Sequence, residues 1–176
     1  MYLDEASVMG TENAIMAAVL AEGETILGNA ACEPHIQDLC RFLVSLGARI
    51  EGIGSNVLRI KGVVSLGGGE HRIGPDHIEV ASFAALGAVT GGEGVVGDVE
   101  PDDLISIVPA FRKLGIELEI TDSSVRVPAG QDLHVEDDLG GQIPKIDSGV
   151  WPAFPADLTS IAVTCATQAR GTLLIF

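Results

Sequence analysis

The sequence contains few aromatic residues, few cysteines and little positive charge, and each shortage argues against a class of protein. Aromatic residues make up 4% of the 176 residues, whereas glycine occurs 22 times, which predicts small-residue packing and many tight turns. The three cysteines are an odd number in a chain large enough to fold without disulfide bonds, so we expect reduced thiols rather than a disulfide framework. Ten basic residues stand against 25 acidic ones, giving a net charge of −15. Because this charge repels phosphate backbones and anionic lipids, nucleic acids and membrane surfaces are not expected partners.

No hydrophobic run is long enough to cross a membrane. The run Ala14–Ala21 falls well short of the roughly 20 residues that a membrane-spanning helix needs. The first residues, MYLDEASV, lack a basic segment followed by an apolar one, so they do not read as a secretion signal. We therefore expect a soluble, cytoplasmic protein. With 47% hydrophobic residues, the chain can form one large domain or two small ones.

One pattern of residues occurs three times along the chain. Each copy has a run of small apolar residues, a glycine and a short apolar segment, and the copies are Ala14–Ala30, Ser82–Val99 and Thr159–Phe176. Setting Gly23 on Gly92 and Gly171 aligns them. A repeated pattern of this length predicts a fold of similar, stacked units. Because the third copy stops within its strand, we expect a fragment of a longer protein, with two full units and one truncated unit.

Within a copy, the residues predict an α/β unit. Ala14–Leu20 is apolar on every side, which predicts an enclosed helix with Thr11 or Asn13 as its N-cap. A strand over Thr25–Leu27 follows. Glu33 and Pro34 then begin an amphipathic helix, and a hairpin follows it over residues 48–60. The second copy predicts the same amphipathic helix, continuous through its apolar residues Leu104, Ile107, Val108, Phe111 and Leu114.

Three segments of the chain resemble a known family. Ala6–Pro34, Val63–Glu79 and Val150–Thr172 are similar, in the same order, to segments of the enolpyruvyl transferases, and most of all to members that act on UDP-N-acetylglucosamine. The resemblance implies an α/β fold of repeated units, with buried helices and outer sheets. It also implies that residues 1–74 are the last unit of one lobe. Residues 75–150 would be the first unit of the other lobe, and residues 151–176 the truncated unit that follows.

The resemblance also implies a reaction. Family members of this kind transfer the enolpyruvyl group of phosphoenolpyruvate to the 3′-hydroxyl of UDP-N-acetylglucosamine in peptidoglycan synthesis, without a metal or organic cofactor. Asp157 matches the aspartate beside that hydroxyl, which is proposed to accept its proton, so it is the expected catalytic and substrate-binding residue. Ala6, Ser7 and Val8 match residues that contact the nucleotide sugar. Glu5 stands where several members carry lysine, and the family's anion-binding arginines match no part of this chain, so we expect the fragment alone to be inactive.

Several alternatives remain open at the level of sequence. Asp157 also fits the N-cap of the third small-residue helix. Cys32, His35 and Cys40 are spaced loosely like part of a zinc site, although buried thiols fit the apolar helix face better. For the function, one alternative is the related transferase that acts on shikimate phosphate. The other is a non-catalytic assembly module, whose exposed strand edges would also allow self-association.

Overall fold

Five α-helices and eight strands follow the three repeats of the sequence. The structure is a computed structural model, describes all 176 residues and divides into two units, Met1–Gly74 and Pro75–Phe176. The elements are α1 (Val8–Ala18), β1 (Glu24–Gly28), α2 (Pro34–Ser45), β2 (Arg49–Glu51), β3 (Val57–Lys61), α3 (His77–Val89), β4 (Gly94–Gly97), α4 (Ile107–Arg112), β5 (Glu119–Ile120), β6 (Ser124–Val127), β7 (Lys145–Ile146), α5 (Thr159–Ala166) and β8 (Leu174–Ile175). Short 3₁₀ turns lie at Pro101–Leu104 and Ala156–Leu158.

The first unit is an antiparallel sheet in the order β1-β3-β2 with two helices on its inner face. Leu27, Leu58 and Ile60 point inward and pack with residues of α1 and α2. The strands alternate buried and exposed residues, as expected for a sheet with one face against a core. The chain start runs parallel to β1, where Tyr2 lies opposite Gly28. The predicted strand, amphipathic helix and hairpin of this copy are confirmed.

The second unit repeats this arrangement and adds the third repeat. Its sheet has the corresponding order β4-β6-β5, and Gly97 lies opposite Ser124 as Gly28 lies opposite Val57. The third repeat contributes α5 and the parallel strand pair β7-β8. Its residues Leu158 and Ala162 share one hydrophobic core with the second repeat. The predicted α/β fold of repeated units is therefore confirmed.

The first helix starts earlier than predicted. Ser7 is the N-cap of α1, because its side-chain oxygen accepts a 3.1 Å hydrogen bond from the N–H of Gly10. The prediction of Thr11 or Asn13 was wrong, since both lie inside the helix. Thr11 is buried and bonds elsewhere, and the Asn13 amide donates to the Met9 carbonyl. The start was missed because three polar residues, Thr11–Asn13, separate the first turn of the helix from the apolar run that begins at Ala14.

The amphipathic helix of the second copy is not continuous. A 3₁₀ turn over Pro101–Leu104 comes first, and α4 begins only at Ile107. Pro109 explains the break, because a proline ring collides with the carbonyl four residues earlier and is tolerated only in the first turn of a helix. Restarting at Ile107 places Pro109 in that first turn. The predicted apolar positions are still buried at Leu104, Ile107 and Phe111.

The small-residue helices are enclosed on one side only. Ile15 and Ala18 of α1 are buried, but Met16 is 47% exposed, and in α3 Phe83 is 61% exposed. Val163 of α5 is exposed as well. The prediction of enclosure on every side was therefore wrong for this chain, because each helix packs one face on its own unit and no element of that unit covers the other. No helix combines the length and the apolar character needed to span a bilayer.

Candidate functional site

Ala6, Ser7 and Val8 lie together at the N-terminal end of α1. The Ser7 hydroxyl is exposed, and its oxygen accepts a hydrogen bond from the Gly10 N–H. The hydroxyl hydrogen is therefore still available to donate. Ala6 and Val8 are half-buried, and Val8 packs against the core of the first unit. The charged side chains beside them, Asp4 and Glu5, are exposed and acidic. This stretch therefore offers hydrogen-bonding groups but no positive charge for a diphosphate.

Asp157 lies in the second unit, in the 3₁₀ turn that leads into α5. Its carboxylate is exposed, whereas the next residue, Leu158, is fully buried and fixes the turn to the core. The N-cap positions are Pro155 for the turn and Leu158 for α5, and neither helix start has a side-chain capping bond. Asp157 is therefore not the N-cap that the sequence also allowed. Its carboxylate is exposed and makes no capping hydrogen bond.

The repeats provide an internal comparison for Asp157. The alignment that sets Gly23 on Gly92 and Gly171 also sets Ser7 on Asp76 and Pro155, which are the N-cap residues of the three helix starts. In the same alignment Asp157 falls on Met9 and Ile78. Two repeats thus carry an apolar residue where the third carries a carboxylate. The fold of the repeat does not require an acid at this position, which argues against a purely structural role.

An aromatic contact fixes the segment that precedes Asp157. The ring of Trp151 meets the buried ring of His77 edge to face, with ring centres 5.8 Å apart at 72°. His77 is the first residue of α3, so the contact ties the approach to the 3₁₀ turn to the start of the neighbouring repeat. No signal within either repeat of the sequence indicates a contact between His77 and Trp151. Their pairing could not be predicted, because it depends on how two repeats pack.

Most cations of the second unit that could attract an anion are already held by acids. Arg126 lies 2.7 Å from both Glu93 and Glu119, and its pKa is raised by hydrogen bonds to Glu119 and then to Glu93. Arg170 pairs with Asp132 at 2.6 Å. Lys145 lies 3.6 Å from Asp147. These pairs are exposed and contribute little to stability, but they neutralise charge that a phosphate group would need.

The cysteine and histidine spacing does not form a metal centre. Cys40 is fully buried in the core of the first unit, as its position on the apolar helix face predicted. Burial raises the pKa of Cys40 to about 11, so it holds its proton rather than acting as a ligand thiolate. No group of three histidine, cysteine, aspartate or glutamate side chains is arranged to hold a metal ion. Cys32 and Cys40 are both buried, and neither forms a disulfide bond.

Comparison with known proteins identifies the family. Residues 1–175 match the sequence profile of the family described as EPSP synthase (3-phosphoshikimate 1-carboxyvinyltransferase). The chain belongs to the EPSP synthase family. Within this family it is 56% identical to a UDP-N-acetylglucosamine 1-carboxyvinyltransferase of Treponema denticola over 175 residues, or 99% of the chain. It is also 56% identical over its whole length to the enzyme of that name from Borreliella burgdorferi, and 50% identical to that from Bradyrhizobium diazoefficiens.

The chain spans only part of these proteins. It covers 41% of the length of each of the three relatives. A solved structure of the same fold is the enolpyruvyl transferase NikO from Streptomyces tendae, with a TM-score of 0.72 over 96% of the chain and 40% of NikO. At 18% identity this likeness concerns the EPSP synthase fold and not the substrate.

Proposed function

We propose that this chain is part of an enzyme that transfers the enolpyruvyl group of phosphoenolpyruvate to the 3′-hydroxyl of UDP-N-acetylglucosamine. The observation that carries the proposal is the identity of 50% to 56%, along essentially the whole chain, to enzymes named for this sugar nucleotide. The reaction belongs to peptidoglycan synthesis, and we assign it to the cytoplasm. The proposed substrates, phosphoenolpyruvate and UDP-N-acetylglucosamine, are both anions, and the proposal includes no metal or organic cofactor.

Asp157 is the proposed proton acceptor. As the 3′-oxygen bonds to the central carbon of phosphoenolpyruvate, the carbon–carbon double bond opens and its methylene carbon takes up a proton from solvent, while the hydroxyl proton passes to the Asp157 carboxylate. In the second step the resulting methyl group gives one proton back to solvent, the double bond re-forms, and the C–O bond to phosphate breaks, so that phosphate leaves and the enol ether remains. An exposed carboxylate that is not used as a helix cap supports this role, because its oxygens remain available to a hydroxyl. The apolar residues at the matching positions, Met9 and Ile78, support it further.

Ser7, with Ala6 and Val8 beside it, is proposed to contact the nucleotide sugar. The Ser7 oxygen already accepts the Gly10 N–H at 3.1 Å, so its hydrogen can be donated to a sugar or phosphate oxygen. Glu5 follows the exposed Asp4, and both would repel a diphosphate placed next to them. We therefore assign the charge neutralisation of both substrates to the part of the full-length protein outside these 176 residues. On this basis the 176-residue chain alone has no turnover.

The test is the substitution Asp157→Asn in the full-length protein. We expect a loss of turnover of about 100-fold or more, the usual effect of removing a general base. The melting temperature should stay unchanged, because the carboxylate makes no capping bond. Asp137→Asn is the matched control, since Asp137 is also an exposed carboxylate of the second unit. Near-normal turnover in Asp157→Asn would remove this residue from the mechanism.

A second candidate substrate is 3-phosphoshikimate, because the description of the family names it. Calorimetric titration of the full-length protein with UDP-N-acetylglucosamine and, separately, with 3-phosphoshikimate distinguishes the two. We expect binding heat only with the sugar nucleotide. Saturable binding of 3-phosphoshikimate alone would replace the proposed substrate while leaving the enolpyruvyl chemistry in place.

A further inference from the structure

A groove on the sheet of the first unit collects three of the ten lysine and arginine residues of the chain. It lies beside β2, has a volume of about 350 Å³, and we call it the β2 groove. Arg49, Arg59 and Lys61 line it together with two acids, Glu24 and Glu51. The other lining residues are apolar, namely Val44, Ala48 and Ile50. Positive charge therefore exceeds negative charge in this groove, although the chain as a whole has a net charge of −15.

One of the three cations is held by an acid of the sheet. The Nη1 atom of Arg59 lies 3.6 Å from the Oε1 atom of Glu24, and Glu51 lies directly opposite Arg59 on β2. The second unit has a matching cluster, in which Arg126 is held by two acids at 2.7 Å. Because both repeats contain this cluster, it belongs to the sheet, and Arg59 is not free to bind a ligand.

Arg49 and Lys61 are the other two cations, and they lie directly opposite each other on β2 and β3. Directly opposed residues share one face of the sheet with Cβ atoms about 4.5 to 5.5 Å apart, and like charges there are destabilising. Both side chains are exposed, and neither takes part in an ion pair. Glu24 is the other cross-strand neighbour of Lys61, but its carboxylate pairs with Arg59. The repulsion between Arg49 and Lys61 is therefore not offset by an ion pair within the sheet.

The second repeat lacks this pair of cations. In the register that the two sheets share, Arg49 corresponds to Glu117 and Lys61 to Pro128. The five matching charged positions carry three cations and two acids in the first repeat, but one cation and three acids in the second. The fold of the repeat therefore does not require Arg49 and Lys61 to be cations, which argues for a role in binding.

Two adjacent cations fit a doubly charged anion. An arginine donates two parallel hydrogen bonds to a phosphate or carboxylate group, and a lysine adds a point charge. A phosphate monoester carries a charge of about −1.5 to −2 at pH 7, which balances both cations, whereas one carboxylate would leave a cation unpaired. The apolar residues of the groove lie next to these charges, so they can contact the group that is esterified to the phosphate. The volume is near the lower end of the usual range for ligand pockets, about 300 to 1,000 Å³, which fits a small molecule.

We propose that the β2 groove binds a small phosphate monoester. Arg49 and Lys61 bind its phosphate group, and Val44 and Ile50 contact the esterified group. All residues that line the groove belong to the first unit, whereas Asp157 lies in the second. The inference does not depend on the proposed reaction, and its failure would leave that proposal unchanged.

Titration of the isotope-labelled full-length protein with phenyl phosphate at constant ionic strength tests the proposal. We expect saturable changes in the NMR shifts of the Arg49 and Lys61 amides. Arg49→Glu, which introduces the residue of the second repeat, should weaken this binding about tenfold or more, because it removes charged hydrogen bonds. Arg112→Glu is the matched control, since Arg112 is an exposed arginine outside the groove, and it should leave the affinity unchanged. The absence of a saturable change, or equal affinity in Arg49→Glu and the unsubstituted protein, would overturn the proposal.

Two further probes test the class of ligand. Inorganic phosphate lacks an apolar group, so we expect it to bind the same amides more weakly than phenyl phosphate does. Equal affinities would contradict the contact with Val44 and Ile50. A phosphoserine peptide that binds more tightly than phenyl phosphate would also overturn the proposal, because the partner would then be a protein.

The melting temperature of Lys61→Gln gives an independent measurement. Glutamine removes the charge, so without ligand the full-length variant should melt at the same temperature as the unsubstituted protein or higher, since the repulsion with Arg49 is gone. Phenyl phosphate should raise the melting temperature of the unsubstituted protein more than that of the variant. A lower melting temperature of Lys61→Gln without ligand would show that Lys61 stabilises the sheet and would contradict the proposal.

Discussion

The hydroxyl oxygen of Thr11 accepts a 2.8 Å hydrogen bond from the backbone N–H of Ala31. Both residues are buried, Thr11 in α1 and Ala31 after β1. The bond satisfies a backbone donor that the sheet leaves without a partner, and it fixes the segment between β1 and α2 to the first helix. A buried donor that lacks a partner carries a large desolvation cost. Removing the acceptor of this bond should therefore destabilise the fold by more than the net contribution of a typical hydrogen bond.

Replacing Thr11 with valine tests this relationship. Valine has nearly the same shape but cannot accept the Ala31 N–H, so we expect the free energy of unfolding to fall by about 1 to 3 kcal/mol. Urea unfolding followed by circular dichroism measures the change. Thr11→Ser keeps the oxygen and should lose less than Thr11→Val. Equal stability of Thr11→Val and the unsubstituted chain would show that the bond is unimportant.

The sequence was sufficient to predict those elements whose signals are local. Pro34 and the apolar spacing after it predicted α2 almost to the residue, and the turn residues Gly54, Ser55 and Asn56 predicted the β2-β3 hairpin. The start of α1 was missed because its cap, Ser7, lies ahead of the apolar run. The break before α4 follows from Pro109, so a stricter reading of proline could have found it.

Less of the candidate site than of the fold could be predicted from the sequence. Asp157 was found through a resemblance, since local rules favoured an N-cap that the structure does not contain. The contact between His77 and Trp151 joins two repeats, and no pattern within either repeat predicts it. The exposed faces of α1 and α3 were also missed. A helix whose residues are apolar on all sides gives no indication of which sides the neighbouring elements cover.

Gly62 is the position at which a single methyl group should be most harmful. It follows β3, and a Cβ there would lie 1.6 Å from the carbonyl oxygen of Ala21. Because that oxygen belongs to the backbone, it cannot rotate away, and we expect Gly62→Ala to cost about 3 kcal/mol or more. Gly68→Ala is the matched control, since nothing lies within 4 Å of its Cβ position.

Urea unfolding of these two alanine variants beside the unsubstituted chain makes the comparison. The control should change stability by less than about 0.5 kcal/mol, as surface substitutions usually do. A similar stability for Gly62→Ala and Gly68→Ala would mean that the chain after β3 can move away from Ala21. The close approach of these two segments would then not be required by the fold.

The buried thiols predict how stability depends on pH. Burial raises the pKa of Cys40, in the first unit, and of Cys165, in the second, from 9.0 to about 11. Above pH 9 the unfolded chain loses these protons while the folded chain keeps them. The contribution of each buried thiol to the free energy of unfolding is therefore fully present below about pH 9. It decreases as the pH rises toward 11, by up to about 3 kcal/mol for each thiol.

Substituting each cysteine separately isolates this contribution. Cys40→Ala and Cys165→Ala should each weaken the decline in the urea midpoint between pH 8 and pH 11, because one titrating group is gone from each variant. Lysine and tyrosine also titrate in this range, and comparison with the unsubstituted chain cancels their effect. At pH 8 both thiols should react with Ellman's reagent only after unfolding, since the thiolate is the reactive form. Two results would contradict this prediction: an unchanged dependence of the urea midpoint on pH in both variants, or rapid labelling of the folded chain. Either result would mean that solvent reaches the thiols of Cys40 and Cys165 in the folded chain.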